Sequence, residues 1–173
     1  MKNCAIQTTS MKHILAITVL ATVTSSLAAE QLTFTTRTLT PEAALTAAKA
    51  AMESCRKSGY QVAVAVVDRN GLPHVTVRDR FAGAHTIDTA TGKAWTAASF
   101  KQSTTLFATH TAPSQPMSGI RHVPKVVAAG GGIVIEAGGA LLGAIGVSGA
   151  PGGDADDICA KAGVAAIQDD LEL

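Results

Sequence analysis

The apolar and polar positions along the chain predict a β-hairpin in its first half. Residues 61–67 are almost wholly apolar and β-branched, which predicts a buried strand. The turn signal at residues 68–71 ends in Asn-Gly, a pair that tolerates the positive φ of a tight hairpin. Residues 72–78 return as a second strand, so this is the clearest hairpin in the sequence.

A helix start precedes this hairpin at Thr40-Pro41-Glu42. The three residues supply a hydroxyl N-cap, a proline at the first helical position and an acid in the first turn. The helix is predicted to run to about Ser58 and to end at Gly59, where glycine favours the left-handed conformation of a helix C-terminus.

Two further helices and a loop are predicted after the hairpin. Apolar residues recur at helical spacing over residues 86–101, which predicts the second helix. Ser103 or Thr104 can cap a short third helix that runs to about His110. Residues 112–124 contain several prolines and are predicted to be an irregular loop.

Glycine and apolar residues dominate the last part of the chain. A strand at residues 133–136, a turn at 137–139 and a strand at 140–148 are predicted. The loop at 149–153 is rich in glycine and leads into a last helix that begins at Asp154. Such a loop before a helix start is either a tight reversal or an anion-binding cradle. The acids at this start are interpreted as capping and helix-dipole residues: Asp154, Asp156 and Asp157.

The predicted element order is β-α-β-β-α-α-β-β-α, beginning with a weakly alternating strand at residues 32–38. Two hairpins flanked by helices imply an α+β domain with a mainly antiparallel sheet and helices packed on it. A doubly wound dinucleotide fold is excluded, because the strands do not alternate singly with helices.

The N-terminus has the pattern of a signal peptide. Lys12 and His13 precede a short apolar run, and small residues follow up to Ala29. Cleavage after Ala28 or Ala29 would remove residues 1–29. The alternative is a buried N-terminal helix. Met11 is as suitable a start as Met1, so the first ten residues are open to question.

Residues 30–173 are predicted to form one domain, exported to the periplasm or secreted. Removing Lys2 and Lys12 from the 14 basic residues of the full chain leaves 12, against 13 acidic ones. This balance predicts no nucleic-acid partner. No second apolar segment is long enough to span a membrane. One Trp, one Tyr and four Phe are too few for a base-stacking surface.

Cys55 and Cys159 remain after export, each on the apolar face of a predicted helix. Two cysteines in an exported chain indicate one disulfide. Bridging would close a loop of about 100 residues and add roughly 4–5 kcal/mol of stability. The alternative is two buried free thiols, which pack as small hydrophobic groups.

Three sequence blocks together resemble the GlcG/HbpS-like family, whose members are often described as haem-degrading or haem-binding. The resemblance spans about residues 39–170 and is strongest to the exported subgroup with a cysteine in each terminal helix. The blocks are QVAVAVVDRNG at 61–71, AHTIDTA leading into KAWTAASF at 84–100, and LGAIGVSGAPGGD at 142–154.

The resemblance implies a profilin-like fold, in which a five-stranded, mainly antiparallel sheet lies between helices. It also implies a symmetric homo-oligomer, from dimer to octamer, and haem as the cofactor. The family further includes a protein encoded beside glycolate oxidase genes and a domain fused to corrinoid adenosyltransferases. Its biochemistry is therefore not uniform, and the resemblance does not decide whether this protein is an enzyme.

Haem requires an axial ligand, an apolar slot and cations for its propionates. His85 is the first candidate for the iron ligand, because it lies between a glycine and a helix start in a matching block. His110 and His122 flank the proline-rich loop and are further candidates. Arg78 and Lys93 are candidates for the propionates. The ordinary alternatives are a capping or surface histidine and a solvated surface charge.

The sequence thus supports an exported haem-binding protein that assists oxidative haem degradation. The competing hypothesis is a non-catalytic oligomeric module that binds a small organic acid or a partner protein. The loop at 149–154 would be its anion site, although the acids there oppose an anion. Alanines of the second helix, with Gly92, favour close approach across a symmetry axis, or else packing within the chain.

Overall fold

A computed structural model describes residues 32–171 of this chain. The chain divides into two units, residues 1–34 and 35–173, and the described helices and strands lie in the second. The signal peptide predicted at residues 1–29 lies outside the described residues. The elements in chain order are α1 (Pro41–Lys57), β1 (Ala63–Asp68), β2 (Pro73–Arg78), α2 (Thr86–Phe100), α3 (Thr104–His110), a 3-10 helix (Ser118–His122), β3 (Gly132–Ala137), β4 (Ala140–Ser148) and α4 (Gly153–Leu171).

The strands form one antiparallel sheet in the order β2-β1-β4-β3. β1 is central, and Ala65 on it lies opposite Thr76 of β2 and Gly146 of β4. The predicted hairpin is confirmed. Its turn is held by the carboxylate of Asp68, which accepts hydrogen bonds from the backbone N–H groups of Asn70 and Leu72. The α+β class with an antiparallel sheet is therefore correct.

The described part of the sheet has four strands, whereas five were expected. The segment predicted as the first strand, residues 32–38, is irregular and exposed. It meets the sheet where the N–H of Leu39 donates to the carbonyl of Leu142 at 3.4 Å. The segment is rich in threonine and alternates only weakly, so it has no continuous apolar face to bury as a paired strand.

The predicted helix caps are confirmed. The hydroxyl of Thr40 accepts a hydrogen bond from the N–H of Ala43 at 3.2 Å, and α1 ends before Gly59, whose φ is +81°. Ser103 caps α3 by accepting from the N–H of Leu106. These local signals fix the helix ends without tertiary information.

Helices cover both faces of the sheet, as expected. Val64 and Val66 of β1 point to one face and pack with α1 and α4. Ala63, Ala65 and Val67 point to the other face and pack with alanines of α2. β1 is consequently buried on both sides. None of the described helices is both long and apolar enough to cross a membrane.

Small residues let α2 approach the sheet closely. Ala90, Ala94 and Ala97 are fully buried inside the chain, and Gly92 faces Val127 of the following loop. The alanine face and Gly92 therefore serve packing within the chain. They supply no surface for a symmetry axis, so an oligomer interface must use other residues.

Cys55 of α1 and Cys159 of α4 form a disulfide, with their Cα atoms 5.4 Å apart. Both residues are buried in the main apolar cluster. The alternative of two free thiols is therefore wrong for this structure. The bond fixes the two helices that share one face of the sheet.

A bidentate ion pair predicts how stability depends on acid. Arg56 donates to both carboxylate oxygens of Asp79 at 2.7 and 3.0 Å, and these bonds, opposed by burial, hold the pKa of Asp79 at about 2. Because this pKa is below the ordinary 3.8, the stabilisation is present above about pH 4 and is lost as pH falls toward 2.

We expect the Asp79→Asn variant to lose less stability than the wild type between pH 4 and pH 2, measured as urea midpoints. The difference should be modest, because Arg56 is partly exposed to solvent. The exposed Asp154→Asn variant is the control and should follow the wild type. Parallel acid profiles for wild type and Asp79→Asn would show that the pair does not contribute.

Candidate functional site

A cavity of about 510 Å³ opens where three separate segments of the chain meet. The segments are the chain after α1, the loop between β2 and α2, and the glycine-rich loop between β4 and α4. We call it the His85 cavity. Its lining residues are Gly59, Tyr60, Gln61, Phe81, Gly83, His85, Thr86, Ser148, Gly149, Ala150, Pro151, Gly152, Gly153 and Asp156.

His85 stands at the exposed rim of this cavity, directly before α2. Its ring lies over Gly83, where a β-carbon would come within 2.7 Å of the imidazole Cε1 and 2.9 Å of Nδ1. The side chain makes no capping hydrogen bond to α2. His85 is thus the N-cap residue of α2 by position only, and its imidazole nitrogens are available to a ligand.

The loop that carries His85 also contains an aromatic ring, and an arginine at the end of β2 precedes it. Phe81 is 81% exposed, so its ring presents an apolar surface at the cavity. Arg78 donates to the carbonyl of Ala82 and thereby holds the loop at the end of β2. The rim thus combines an imidazole and an apolar ring, while Arg78 holds the loop and does not itself line the cavity.

The floor of the cavity is polar and buried. Ser148 and Asp156 are both largely inaccessible to solvent, and Oε1 of Gln61 is buried with no hydrogen-bond partner. An unsatisfied buried acceptor costs free energy, so a ligand N–H or O–H group that reached it would be stabilised. The cavity therefore has an imidazole and an aromatic ring at its rim and buried polar groups at its floor.

Lys93 does not carry a solvated surface charge. It is 3% exposed, and its ammonium donates to Oδ2 of Asp156 at 2.7 Å and to the carbonyl of Val147 at 2.9 Å. Burial raises the pKa of the Asp156 carboxyl, while the hydrogen bond and charge of Lys93 oppose that shift. The ion pair lies beneath the cavity floor.

Asp154 and Asp157 do not form the expected cap, since α4 begins at Gly153. Asp156 of the first turn does more than favour the helix dipole. Asp156 pairs with Lys93, and Asp157 accepts from the hydroxyl of Thr105 at 2.6 Å and from the N–H of Gly131 at 2.5 Å. Both carboxylates are buried and tie α4 to other elements. Asp154 stays exposed at the helix start, where a negative charge is favourable.

The other candidate histidines lie elsewhere. His110 is exposed at the end of α3, and His122 lines a separate cavity of about 330 Å³ with Pro113 and Arg121. The structure does not bring either histidine to the His85 cavity. Among residues 32–171, no group of three or more His, Cys, Asp or Glu side chains could hold a metal ion.

Several cavity residues are missed by sequence reasoning. Tyr60 and Gln61 follow a helix end and carry no motif, and the glycine-rich loop is equally consistent with a simple reversal. Phe81 has a usable signal, since a lone aromatic residue in a loop of charged and small residues is seldom needed for the core. The structure unites the glycine-rich loop with His85.

The chain is an α+β protein with two disulfide-linked helices on one face of its sheet and a cavity beside the N-terminus of α2. Residues 39–165 match the sequence profile of the haem-degrading, HbpS-like proteins. The chain belongs to this HbpS-like family. No curated protein matches the sequence significantly.

Solved structures show the same relationship. A double mutant of Streptomyces reticuli HbpS is 43% identical, with 78% of this chain and 89% of that chain covered and a TM-score of 0.72. Protein ORFY of Klebsiella pneumoniae is 26% identical, with coverages of 80% and 97% and a TM-score of 0.77. PduOC, solved as a complex with haem, is 31% identical, with coverages of 75% and 95% and a TM-score of 0.71.

Proposed function

We propose that this protein is an exported, homo-oligomeric haem-binding protein and that its site is the His85 cavity. The observation that carries the proposal is the imidazole of His85, which stands at the cavity rim over Gly83 and makes no cap to α2. Membership of the HbpS-like family and similarity to PduOC, a protein solved with haem, support the choice of ligand.

The residues at the rim fit haem. His85 would hold the iron, and the exposed ring of Phe81 would give apolar contact beside it. Arg78, at the end of β2 before this loop, is the cation that we propose for a propionate. Bound haem would supply a redox-active iron at the imidazole.

Lys93 is not a propionate partner in this proposal. Its ammonium is buried and already engaged by Asp156 and by the carbonyl of Val147. His110 and His122 lie outside the His85 cavity, so they are not proposed as ligands within one subunit. Of the three candidate histidines, we therefore assign only His85 as the iron ligand.

Haemin titration of the purified protein tests this assignment. We expect a saturable Soret shift with the wild type and at least a tenfold higher Kd with His85→Ala, since a tenfold change corresponds to about 1.4 kcal/mol. His122→Ala is the matched control, because it removes another exposed histidine and leaves the cavity intact.

Absence of a saturable shift with the wild type would reject haem as the ligand. Unchanged affinity in His85→Ala, with a loss in His122→Ala, would instead move the site to the smaller cavity.

We further propose that the protein assists oxidative haem degradation, with peroxide from solvent as the oxidant. His85 and Phe81 are exposed, so a haem held by them would be accessible to that oxidant. Peroxide-dependent bleaching of the haem complex should then be faster than bleaching of free haemin. Equal bleaching rates for the complex and for free haemin would mean that the protein binds haem without assisting its degradation.

Export and assembly are parts of the same proposal. The signal-peptide pattern at residues 1–29 and the disulfide both suit the periplasm or the extracellular space. N-terminal mass analysis of the exported protein tests cleavage after Ala28 or Ala29. Light scattering tests the homo-oligomer, and a monomer mass would reject it.

A small organic acid is the second candidate ligand, as for a non-catalytic binding module. The charges that oppose an anion at the glycine-rich loop are partly neutralised, because Asp156 pairs with Lys93. Asp157 is likewise satisfied by Thr105 and Gly131. Stabilisation by a small carboxylate in a thermal-shift screen, without any haemin binding, would favour this function.

A further inference from the structure

One carboxylate joins the glycine-rich wall of the His85 cavity to the interior. Oδ1 of Asp156 accepts a hydrogen bond from the N–H of Ala150 at 3.1 Å, while Oδ2 accepts from Lys93 at 2.7 Å. Lys93 also donates to the carbonyl of Val147, near the end of β4. The loop, α2, β4 and α4 therefore meet at a single buried ion pair.

The loop from Gly149 to Gly153 lacks side chains with which to hold itself. Three of its five residues are glycines, and Gly149 has a φ of +130°. Glycine backbones have many accessible conformations, so a defined loop shape requires external hydrogen bonds. The bond between Asp156 and Ala150 supplies one in the middle of the cavity wall.

The surrounding chain makes room for this pair. Gly131 has a φ of +112°, and a β-carbon there would lie 2.7 Å from Cβ of Asp156 and 2.9 Å from Nζ of Lys93. Both side chains of the pair are about 95% buried. Burying two charges carries a desolvation cost that often equals the attraction between them. Stability alone therefore does not account for an ion pair at this place.

We propose that Lys93 and Asp156 are positioning residues that hold the Gly149–Gly153 wall in the shape that binds the ligand of the His85 cavity. This inference rests on the proposed function, because it assigns the ligand site to that cavity. Asp156 acts on the ligand through the backbone of Ala150. Lys93 acts through Asp156, whose carboxylate it orients by its hydrogen bond to Oδ2.

The test replaces the pair by apolar side chains, in the double variant Lys93→Met/Asp156→Leu. An apolar replacement of a buried ion pair is often neutral for stability, so the fold should be retained. We expect the Ala150 amide to exchange hydrogen at least about tenfold faster than in the wild type, and the haemin Kd to rise by about the same factor. That size corresponds to the loss of one charge-assisted hydrogen bond.

Thermal denaturation and circular dichroism verify that the double variant is folded. If it is not, Lys93→Met/Asp156→Ala replaces it, because this variant also removes both charges and the acceptor for Ala150 and adds no bulk. Wild-type exchange at Ala150 in the folded variant would overturn the proposal. Faster exchange with unchanged haemin affinity would overturn it as well, since the wall would then not matter for binding.

The two proposals fail in distinguishable ways. Hydrogen exchange at Ala150 is measured without ligand, so it reports on the wall even if the wild type binds no haemin. If the wild type binds no haemin, the function proposed above is wrong. The affinities of the wild type and the double variant are then compared for a carboxylate that stabilises the protein in the thermal-shift screen. Slow exchange at Ala150 in both proteins overturns the positioning role whatever the ligand is.

Discussion

Replacing Gly146 by alanine is expected to cost about 3 kcal/mol or more of folding free energy, at the upper end of the range for overpacked cores. A β-carbon at this position in β4 would lie 2.0 Å from the carbonyl oxygen of Ala90 and 2.7 Å from the nitrogen of Ala94. Both atoms belong to the backbone of α2, so no side-chain rotation can relieve the clash. α2 would have to move away from the sheet.

Urea denaturation of Gly146→Ala measures this cost, and Gly119→Ala is the matched control. A β-carbon at Gly119 meets nothing within 4 Å, so that variant should stay within about 0.5 kcal/mol of the wild type. Equal midpoints for Gly146→Ala and the wild type would show that α2 adjusts freely. That result would contradict the close packing of α2 on the sheet.

Local signals in the sequence were sufficient for most of the fold. The Asn70-Gly71 turn fixed the first hairpin, and Thr40 fixed the start of α1, because each acts through bonds to residues a few positions away. β4 was predicted at residues 140–148, the range that it occupies. Its boundaries follow from a glycine turn before it and a glycine-rich loop after it.

The fifth strand was predicted wrongly because strand pairing is not local. Residues 32–38 alternate weakly, and whether such a segment pairs depends on the neighbouring strand and on the apolar face that it can bury. The family resemblance favoured five strands as well. Neither the alternation of residues nor the resemblance shows whether residues 32–38 form backbone hydrogen bonds with a neighbouring strand.

The buried ion pair beneath the site could not be predicted from the sequence, again because its two residues are distant in the chain. Lys93 and Asp156 are 63 residues apart in the chain, and each has an ordinary local explanation, as a surface charge and as a helix-dipole residue. The ion pair also explains a glycine in the run at 130–132, because a β-carbon at Gly131 would collide with Asp156 and Lys93. The exposure of His85 was predictable, because a histidine between a glycine and a helix start is exposed by local geometry alone.

Removing the disulfide is expected to have an even larger effect on stability than Gly146→Ala. Cys55 and Cys159 are 104 residues apart, so their bond excludes many extended conformations of the unfolded chain. The chain-entropy model gives about 4–5 kcal/mol for such a loop. For a domain of this size, that loss corresponds to a decrease of about 10–20 °C in Tm.

Two denaturation curves of the wild type, oxidised and reduced, measure the effect without changing a side chain. The double variant Cys55→Ala/Cys159→Ala is the control: it should be as unstable as the reduced wild type or slightly less stable, because truncating two buried thiols leaves small voids. Its curve should not respond to reductant. Coincident curves for the oxidised and reduced wild type would mean that the unfolded chain is already compact around α1 and α4. The entropic contribution would then be absent, and packing between the two helices alone would have to hold this face of the sheet.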